Sequence, residues 1–334
     1  MAIVFMDGFD HLAAADLTQK WDSSSSVTGA SKITGFASLG SAQRYLNANR
    51  TIQRTVASAS TYMIAFHYRL ESLPASDVAL VRFRESTTTH TDIRITSLGE
   101  IRATRNGTSL GLSSAVIAIN TWYWLAIKVT INDSTGTVDV RVNSTSVLAL
   151  TGQDTRNGGS GIIDNIQVNS VSSGNNDFDN LAILDTTGSS PTNDIPTEEW
   201  RIDTQTATGA GNSTQFTPST GSNWQNVDDA TSDGDSTYNS SSTSGHTDLF
   251  AIADFSGGTP RAVQVNIAAR RDDAGPREIR EKCRSGSTNY SGTTQAITSA
   301  YLVYRQIRET DPATSAAWTG PNLNSAEFGY ELVT

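Results

Sequence analysis

From Tyr62 onward, the chain alternates apolar and polar residues in short runs that turn-forming residues separate. In the segment TYMIAFHYRL, every second residue from Tyr62 to Tyr68 is apolar, so this side of a strand is predicted to face a core. The segment NTWYWLAIKVTINDSTGTVDVRV predicts two long strands joined by a polar turn at 132–136. Short strands at this spacing are typical of an antiparallel β-sandwich.

The composition shifts at TTGSSPTNDIPTEEW, where two prolines and a run of small polar residues interrupt any strand ladder. This shift predicts a linker over residues 189–200, between a first domain over 1–188 and a second over 201–334. Alternation returns in RAVQVNIAARRD and SAYLVYRQIRE, which predicts a second, smaller β-sandwich. The whole chain is therefore predicted to be all-β.

The charge balance and the cysteine count exclude several classes of protein. The sequence has 24 Lys and Arg against 34 Asp and Glu, a formal net charge of −10, which disfavours binding to nucleic acid. Cys283 is the single cysteine, so no internal disulfide can form, and it is predicted to be a small packing residue. No apolar segment approaches about 18 residues and no secretory signal opens the chain, so we expect no membrane span and synthesis in a cytoplasm.

Several segments of the first domain resemble a known family. MDGFD at the start, TWYWLAIKVTIND in the middle and DNLAILD at the end are similar to the concanavalin A-like, laminin-G-like jelly roll. The resemblance implies that DNLAILD returns to pair beside the opening strand. The second part is similar to a module that commonly follows this jelly roll in structural proteins of tailed bacteriophages, on the series GAGNSTQFTPSTGSNWQNVDD, DGDSTY, AVQVNIAARRDD and DPATSAAWTGPNLNSAEFGYEL.

The segment FDNLAILDTTG poses a choice between an acidic site and a closing strand. Asp177, Asp179 and Asp185 lie around the apolar Leu181 and Ile183. If the apolar residues pack inward, the carboxylates are solvated ends of a strand. We expect this second arrangement, in which they take part in no chemistry.

An acidic loop is the one candidate for a metal site. The segment DDATSDGDSTY contains the oxygen ligands that Ca²⁺ prefers, supplied by Asp228, Asp229, Asp233 and Asp235. Aspartates in turns commonly bond their own backbone amides, and this plainer interpretation is favoured. No other cofactor is expected, and the four scattered histidines do not have the spacing of a zinc site.

The segment RRDDAGPREIREKCR contains a cluster of basic residues, Arg270, Arg271, Arg277 and Arg280. One interpretation is an assembly contact, in which planar guanidinium groups bind carboxylates of a neighbouring subunit. The alternative, which we favour, is a hairpin with cross-strand ion pairs.

Aromatic residues offer a third kind of candidate. Adjacent strand residues point to opposite faces, so the trio Trp122 to Trp124 is expected to serve core packing. His67 is expected to be a satisfied surface or core residue. Trp224 and Trp318 lie in polar loops and are better candidates for exposed contacts with a glycan or another surface.

The resemblance implies a non-enzymatic structural protein of a tailed-phage virion, either a tail or fibre component or a head decoration. Its expected partners are other capsid or tail proteins, further copies of itself in a trimer, and a glycan of the host surface. A glycan-degrading jelly-roll enzyme is one alternative, but Glu85 and Glu100 stand alone where such enzymes carry paired carboxylates. A free carbohydrate-binding module of a bacterium is the other.

Overall fold

The computed structural model describes residues 2–24, 30–46 and 50–334. The chain divides into two compact units. Met1–Asp10 and Ala14–Ile202 belong to the first unit, and His11–Ala13 and Asp203–Thr334 belong to the second. Residues 189–200, predicted as a linker, lie within the first unit.

The first unit is built from strands, because its alternating segments extend and pair. Its described strands are β1 (Ile3–Asp7), β2 (Ser23–Ser24), β3 (Ala30–Thr34), β4 (Ser41–Leu46), β5 (Thr51–Ala59), β6 (Thr61–Leu70), β7 (Val78–Glu85), β8 (Thr88–Ile95), β9 (Glu100–Arg105), β10 (Thr108–Ala115), β11 (Tyr123–Thr130), β12 (Gly136–Val142), β13 (Thr145–Gln153), β14 (Ile163–Asn169) and β15 (Asn175–Leu184). Two short 3-10 helices, Ala14–Gln19 and Phe36–Ser38, accompany them in its described part.

These strands form two antiparallel sheets. Among the described residues, one sheet has eight strands in the order β13-β12-β11-β6-β15-β4-β3, with β1 also paired to β15. The other has seven strands in the order β10-β9-β8-β7-β14-β5-β2. Strand β15 pairs with β1 from Leu181 to Leu184, so the closing strand does return beside the opening strand.

The core of the first unit lies between the two sheets. The predicted inward side of β6 is confirmed, because Tyr62 and Tyr68 are fully buried in one cluster with Val81 and Phe83 of β7. Burying an aromatic or aliphatic side chain of this size contributes about 1.5–3 kcal/mol, and the cluster holds many. The all-β class and the two-sheet antiparallel sandwich of the first part are therefore confirmed.

The second unit is also all-β apart from short helices. Its described strands are β16 (Ala207–Thr214), β17 (Thr217–Pro218), β18 (Asn239–Ser240), β19 (Thr247–Ile252), β20 (Val263–Ala269), β21 (Glu278–Ser285), β22 (Thr288–Ser291), β23 (Gln295–Ala296), β24 (Leu302–Arg308) and β25 (Glu327–Leu332). The helices are a 3-10 turn at Asn223–Asn226 and α1 (Gly320–Asn324).

A six-stranded sheet and a two-stranded ribbon build the second unit's core. In the described part of the unit, the sheet runs β16-β19-β25-β21-β22, with β23 also paired to β21, and the ribbon is β20-β24. Ile267 and Tyr304 of the ribbon pack against Ile279 and Leu332 of the sheet. A smaller sheet module thus follows the larger sandwich, as predicted. None of the helices within the described residues is long and apolar enough to cross a membrane.

Candidate functional site

A row of polar side chains crosses the seven-stranded sheet on the face that points away from the core. Cross-strand pairing places its members side by side on five neighbouring strands, which span about 19 Å at the usual strand spacing. The core residues that alternate with them fix this orientation. We call this surface the open face, and its row consists of Gln53, Gln167, Arg82, Asp92 and Thr104.

A depression of about 450 Å³ lies at one end of this row. It is bounded by strands β7 and β8 and by two loops. The turn Asn106-Gly107 forms part of its rim, and both residues have positive φ, 47° and 82°, as a tight hairpin turn requires. The described residues that line it are Arg82, Thr88, Thr89, Asp92, Arg94, Asn106, Gly107 and Asn157.

Arg82 is the unusual member of this depression. It is half-buried, and no described residue forms a hydrogen bond or ion pair with its guanidinium group. Its neighbour Arg84 is held by the side-chain oxygen of Gln167, at 3.0 Å. Burial, together with the positive charge of Arg82, lowers the pKa of Arg84. The open face therefore carries a positive charge that has no partner within the described chain.

Asp92, beside Arg82, is fully engaged. Arg94 binds both of its carboxylate oxygens, with nitrogen–oxygen distances of 3.1 and 2.9 Å, and the Thr104 hydroxyl donates to one of them. Such bidentate pairs are well ordered and geometrically specific. Asp92 is thus held in a fixed position as an acceptor of hydrogen bonds.

His90 lies beneath the depression and fixes one of its walls. The Asn157 backbone N–H donates to His90 Nδ1 at 3.0 Å, so the proton of the neutral ring lies on Nε2, which is 3.1 Å from Glu85 Oε2. The Asn157 side chain in turn donates to the Thr89 carbonyl at 3.0 Å. His90 therefore positions Asn157 and does not reach the open face itself.

The outer face of the eight-stranded sheet is different, and it corrects the prediction of solvated strand ends. Asp177 is 1% exposed, and two arginines bind it across neighbouring strands. Arg44 Nε lies 2.7 Å from one of its oxygens and Arg69 Nε lies 2.9 Å from the other. The carboxylate is buried because strands pair on both sides of β15, whereas the sequence pattern shows only one strand at a time.

Asp179 is buried for the same reason. It accepts hydrogen bonds from the backbone N–H groups of Phe36 and Asn180, both at 2.7 Å. Burial, opposed by these bonds and reinforced by Asp10, raises its pKa to about 7. The ammonium group of Lys32 binds a backbone carbonyl nearby, and burial lowers its pKa.

His67 is buried on the same face, but it is not satisfied as expected. Asn180 donates its side-chain N–H to His67 Nδ1 at 3.3 Å, since the Asn180 oxygen already accepts from Ile202 N–H. The ring proton therefore lies on Nε2, for which no acceptor lies within hydrogen-bond distance among the described residues. Burial lowers the pKa of His67 to about 4.

Aromatic rings surround His67. Phe36 stacks on it with ring centres 3.8 Å apart, and Trp124 lies against it at 4.9 Å. Trp122 contacts the edge of Phe36, and the Arg69 guanidinium lies 4.8 Å from the centre of the Trp122 ring. Trp124 is buried as expected, but outside the core between the sheets. We call this surface the covered face; it consists of His67, Arg69, Trp122, Trp124, Asp177 and Asp179.

The predicted calcium loop lies in the second unit. Thr237 Oγ1 lies 2.9 Å from Asp233 and 3.4 Å from Asp229, and Asp235 binds Arg270 and Tyr301. Asp228 is half-buried. Across residues 2–24, 30–46 and 50–334, no group of three or more His, Cys, Asp or Glu side chains is arranged to hold a metal ion. Calcium binding stays a prediction.

The basic segment does not form the favoured hairpin. Strand β20 pairs with β24, whereas β21 pairs with β25, β22 and β23. The arginines nevertheless have partners within the unit: Arg270 binds Asp235, Arg277 binds Asp273, Arg280 binds Glu331, and Arg271 donates to the carbonyls of Asp273 and Gly275. A role in assembly stays a prediction.

The two loop tryptophans differ. Trp318 is 1% exposed, packs against Phe328 and donates its indole N–H to the Arg308 carbonyl at 3.1 Å. The prediction of a surface contact at Trp318 is therefore wrong, because its loop folds back onto the sheet. Trp224 is half-buried in the 3-10 turn, and its surface contact stays a prediction.

Sequence reasoning did not select the open face. Its signal was present in the segment DVALVRFRE, where Arg82 and Arg84 alternate with Val81 and Phe83. The alternation predicts that the arginines point outward. It does not show that their neighbours on other strands leave Arg82 without a partner.

Comparisons with known proteins add a likeness of fold. No family model matches the sequence, and no curated protein matches it. Among solved structures, the alginate lyase Aly36B is 15% identical with a TM-score of 0.38, and the match covers 53% of this chain and 92% of that one. The alginate lyase AlgAT5 of polysaccharide lyase family 7 is 15% identical with a TM-score of 0.33, covering 43% and 78%.

A Trypanosoma rangeli sialidase is also similar. It is 10% identical with a TM-score of 0.34, and the match covers 43% of this chain and 25% of the sialidase. These likenesses concern the fold alone, and the chemistry of the site rests on its own residues.

Proposed function

We propose that this protein is a non-enzymatic glycan-binding protein whose open face holds a polysaccharide bearing carboxylate groups. The observation that carries the proposal is the half-buried guanidinium group of Arg82, which lines the depression and has no partner among the described residues. Arginine binds carboxylates through two parallel hydrogen bonds, and partial burial strengthens such a pair.

The wall of the depression suits the hydroxyl groups of a sugar chain. Around Arg82 it is lined by the exposed Thr88 and Asn106 and by the half-buried Thr89 and Asn157. Their hydroxyl and amide groups are hydrogen-bond donors and acceptors. This arrangement supports binding by many modest contacts, with Arg82 supplying the selectivity for acidic sugars.

The state of Asp92 supports a binding role over a catalytic one. Glycosidases of the retaining type need two carboxyl groups about 5 Å apart, one of which must exchange a proton. Among the described residues that line the depression, Asp92 is the one carboxylate, and Arg94 and Thr104 already engage it.

The test is a titration of the full chain with polygalacturonate, an acidic polysaccharide, and with dextran, a neutral one. We expect polygalacturonate to bind and Arg82→Ala to weaken it by about tenfold or more. Arg102→Ala is the matched control, because Arg102 lies on the same sheet but is already paired with Asp77. No binding, or equal effects of both substitutions, would reject the proposal.

The same incubation separates the enzymatic alternative. Released reducing ends that grow with time would show that the jelly roll degrades the polysaccharide. A steady level, with the polysaccharide still bound, is what the proposal expects.

The more specific proposal is that the protein is a structural component of a tailed-phage virion and forms a trimer. It rests on the series of segments given above, from MDGFD to DPATSAAWTGPNLNSAEFGYEL. Mass spectrometry of purified virions should find this chain, and light scattering should give three times the monomer mass of 35.6 kDa. Virions without the chain would favour a free bacterial carbohydrate-binding module.

A further inference from the structure

Residues 189–202, which we call the strap, lie across the covered face without forming a strand. Thr192 and Ile195 are buried there. Asp194 reaches Lys128 of β11 at 2.6 Å, and Ile202 N–H donates to the Asn180 side chain at 2.6 Å. The strap is therefore held by side chains and a few isolated hydrogen bonds, and not by a ladder.

Two strap residues occupy the centre of the covered face. The Arg201 guanidinium lies 5.0 Å from the centre of the Phe36 ring, on the cluster that contains His67. Glu199 Oε1 lies 3.6 Å from His67 Nε2, which is longer than a hydrogen bond. A bound sugar would make contacts of the same two kinds. One face of the sugar would stack on the aromatic ring, and a hydroxyl oxygen would lie near the buried N–H group.

The face beneath the strap has unmet hydrogen-bonding capacity. Within the described residues, neither His67 Nε2 nor Trp124 Nε1 has a partner, although both atoms are buried. A buried donor that lacks an acceptor costs about 1–3 kcal/mol. Glu199 lies too far to form a hydrogen bond with His67, so the strap leaves this donor unsatisfied.

The carboxylates of Asp177 and Glu199 on the same face are already paired with arginines. Asp177 binds both Arg44 and Arg69, and Glu199 binds Arg201 at 3.0 Å. What would be left after removal of the strap is an aromatic surface of Phe36 and Trp122 with the N–H donor of His67 beside it. That chemistry suits an uncharged sugar, whose C–H face stacks on a ring and whose hydroxyl oxygens accept hydrogen bonds.

We infer that the strap is a displaceable cover and that the covered face is a second glycan site, for a neutral hexose chain. The sugar takes the places of Arg201 on Phe36 and of Glu199 at His67. This site lies on the opposite sheet from the open face and is independent of the acidic-glycan proposal.

Binding of neutral tetrasaccharides tests this inference directly. Glu199→Ala/Arg201→Ala in the full chain removes both central contacts at no net change in charge. Isothermal titration with tetrasaccharides of glucose, galactose and mannose should show about tenfold tighter binding of at least one of them than in the wild type. Adding Trp122→Ala should abolish the gain. The control Asp273→Ala/Arg277→Ala removes an ion pair of the second unit and should bind as the wild type does.

The inference is overturned if the opened variant keeps its near-ultraviolet circular dichroism and yet binds all three tetrasaccharides as the wild type does. If the opened variant fails to fold, hydrogen exchange of the wild type decides. The amides of 189–202 should then exchange about 100-fold faster than those of β6 and β11, because they open locally. Equal protection of the strap and these strands would show that the strap does not lift.

Discussion

The outer faces of the two sheets in the first unit differ in how far their polar side chains are buried and paired. The open face presents the half-buried Arg82 without a partner among the described residues, beside a depression lined by the exposed Thr88 and Asn106. The covered face buries Asp177, His67 and Trp124 almost completely beneath the strap and neighbouring segments. Both faces derive from strands with the same alternating pattern, so the pattern alone does not determine which face remains accessible.

This difference between the two faces predicts that substitutions on one affect stability and those on the other affect binding. On the covered face, charged groups are desolvated and bound to one another, so removing one partner leaves another buried without compensation. On the open face, water or a ligand can replace a lost contact. Substitutions on the covered face should therefore reduce the free energy of unfolding, and those at Arg82 should reduce ligand affinity.

The largest effect is expected at Trp124. Trp124→Ala should lower the free energy of unfolding by about 3–5 kcal/mol, because it leaves a cavity beside His67. Arg82→Ala, its counterpart on the open face, should change it by less than about 0.5 kcal/mol. Urea unfolding of both variants measures this, and similar losses would remove the distinction between the faces.

A second contrast concerns two aspartates that each bind arginine. Asp177→Ala should cost about 3 kcal/mol, because it leaves Arg44 and Arg69 without their shared buried carboxylate. Asp77→Ala breaks the more exposed pair with Arg102 and should cost less than about 1 kcal/mol. Thermal unfolding of the two variants at low and high salt gives the comparison. A larger loss for Asp77→Ala would contradict it.

The pH dependence of stability should reveal His67. Its pKa of about 4 in the folded chain lies below the ordinary value of 6.5, so the unfolded chain binds a proton in this window that the folded chain does not. The stability from neutral His67 is therefore lost as the pH falls from 6.5 towards 4. His67→Phe should gain about 2 kcal/mol relative to the wild type when the pH changes from 7 to 5.

Asp179 should act in the opposite direction. Its folded pKa of about 7 exceeds the ordinary 3.8, so its protonation stabilises the folded chain as the pH falls through 7. Asp179→Asn should lose about 2 kcal/mol relative to the wild type over the same change from pH 7 to 5. Urea titrations at both pH values check the two variants, and shifts of the same sign would show that these groups are not buried as described.

Much of the fold followed from the sequence. The structure confirms three predictions: the inward side of TYMIAFHYRL, the hairpin at 132–136, and the return of DNLAILD beside the opening strand. The first two depend on local patterns, and the third depends on the family resemblance. The alternating apolar side chains of RAVQVNIAARRD also pack inward, with Val265 and Ile267 in the core of the second unit.

The functional surfaces were harder to predict, because they depend on which residues meet across strands. Asp179 was expected at a solvated strand end, and Trp318 was expected to be exposed, yet both are buried by segments distant in sequence. The alternation in DVALVRFRE indicates only that Arg82 lies opposite Val81 and Phe83 on its strand, whereas its lack of a partner among the described residues depends on the side chains of β8 and β14. Such cross-strand juxtapositions are not visible in a single run of residues.

The most direct test of the account is a structure of the full chain with a galacturonate tetrasaccharide bound. The bound structure should show a sugar carboxylate within hydrogen-bond distance of the Arg82 guanidinium, and sugar hydroxyls beside Thr89 and Asn106. A tetrasaccharide bound only in the second unit or on the covered face, or no bound sugar at a saturating concentration, would contradict it.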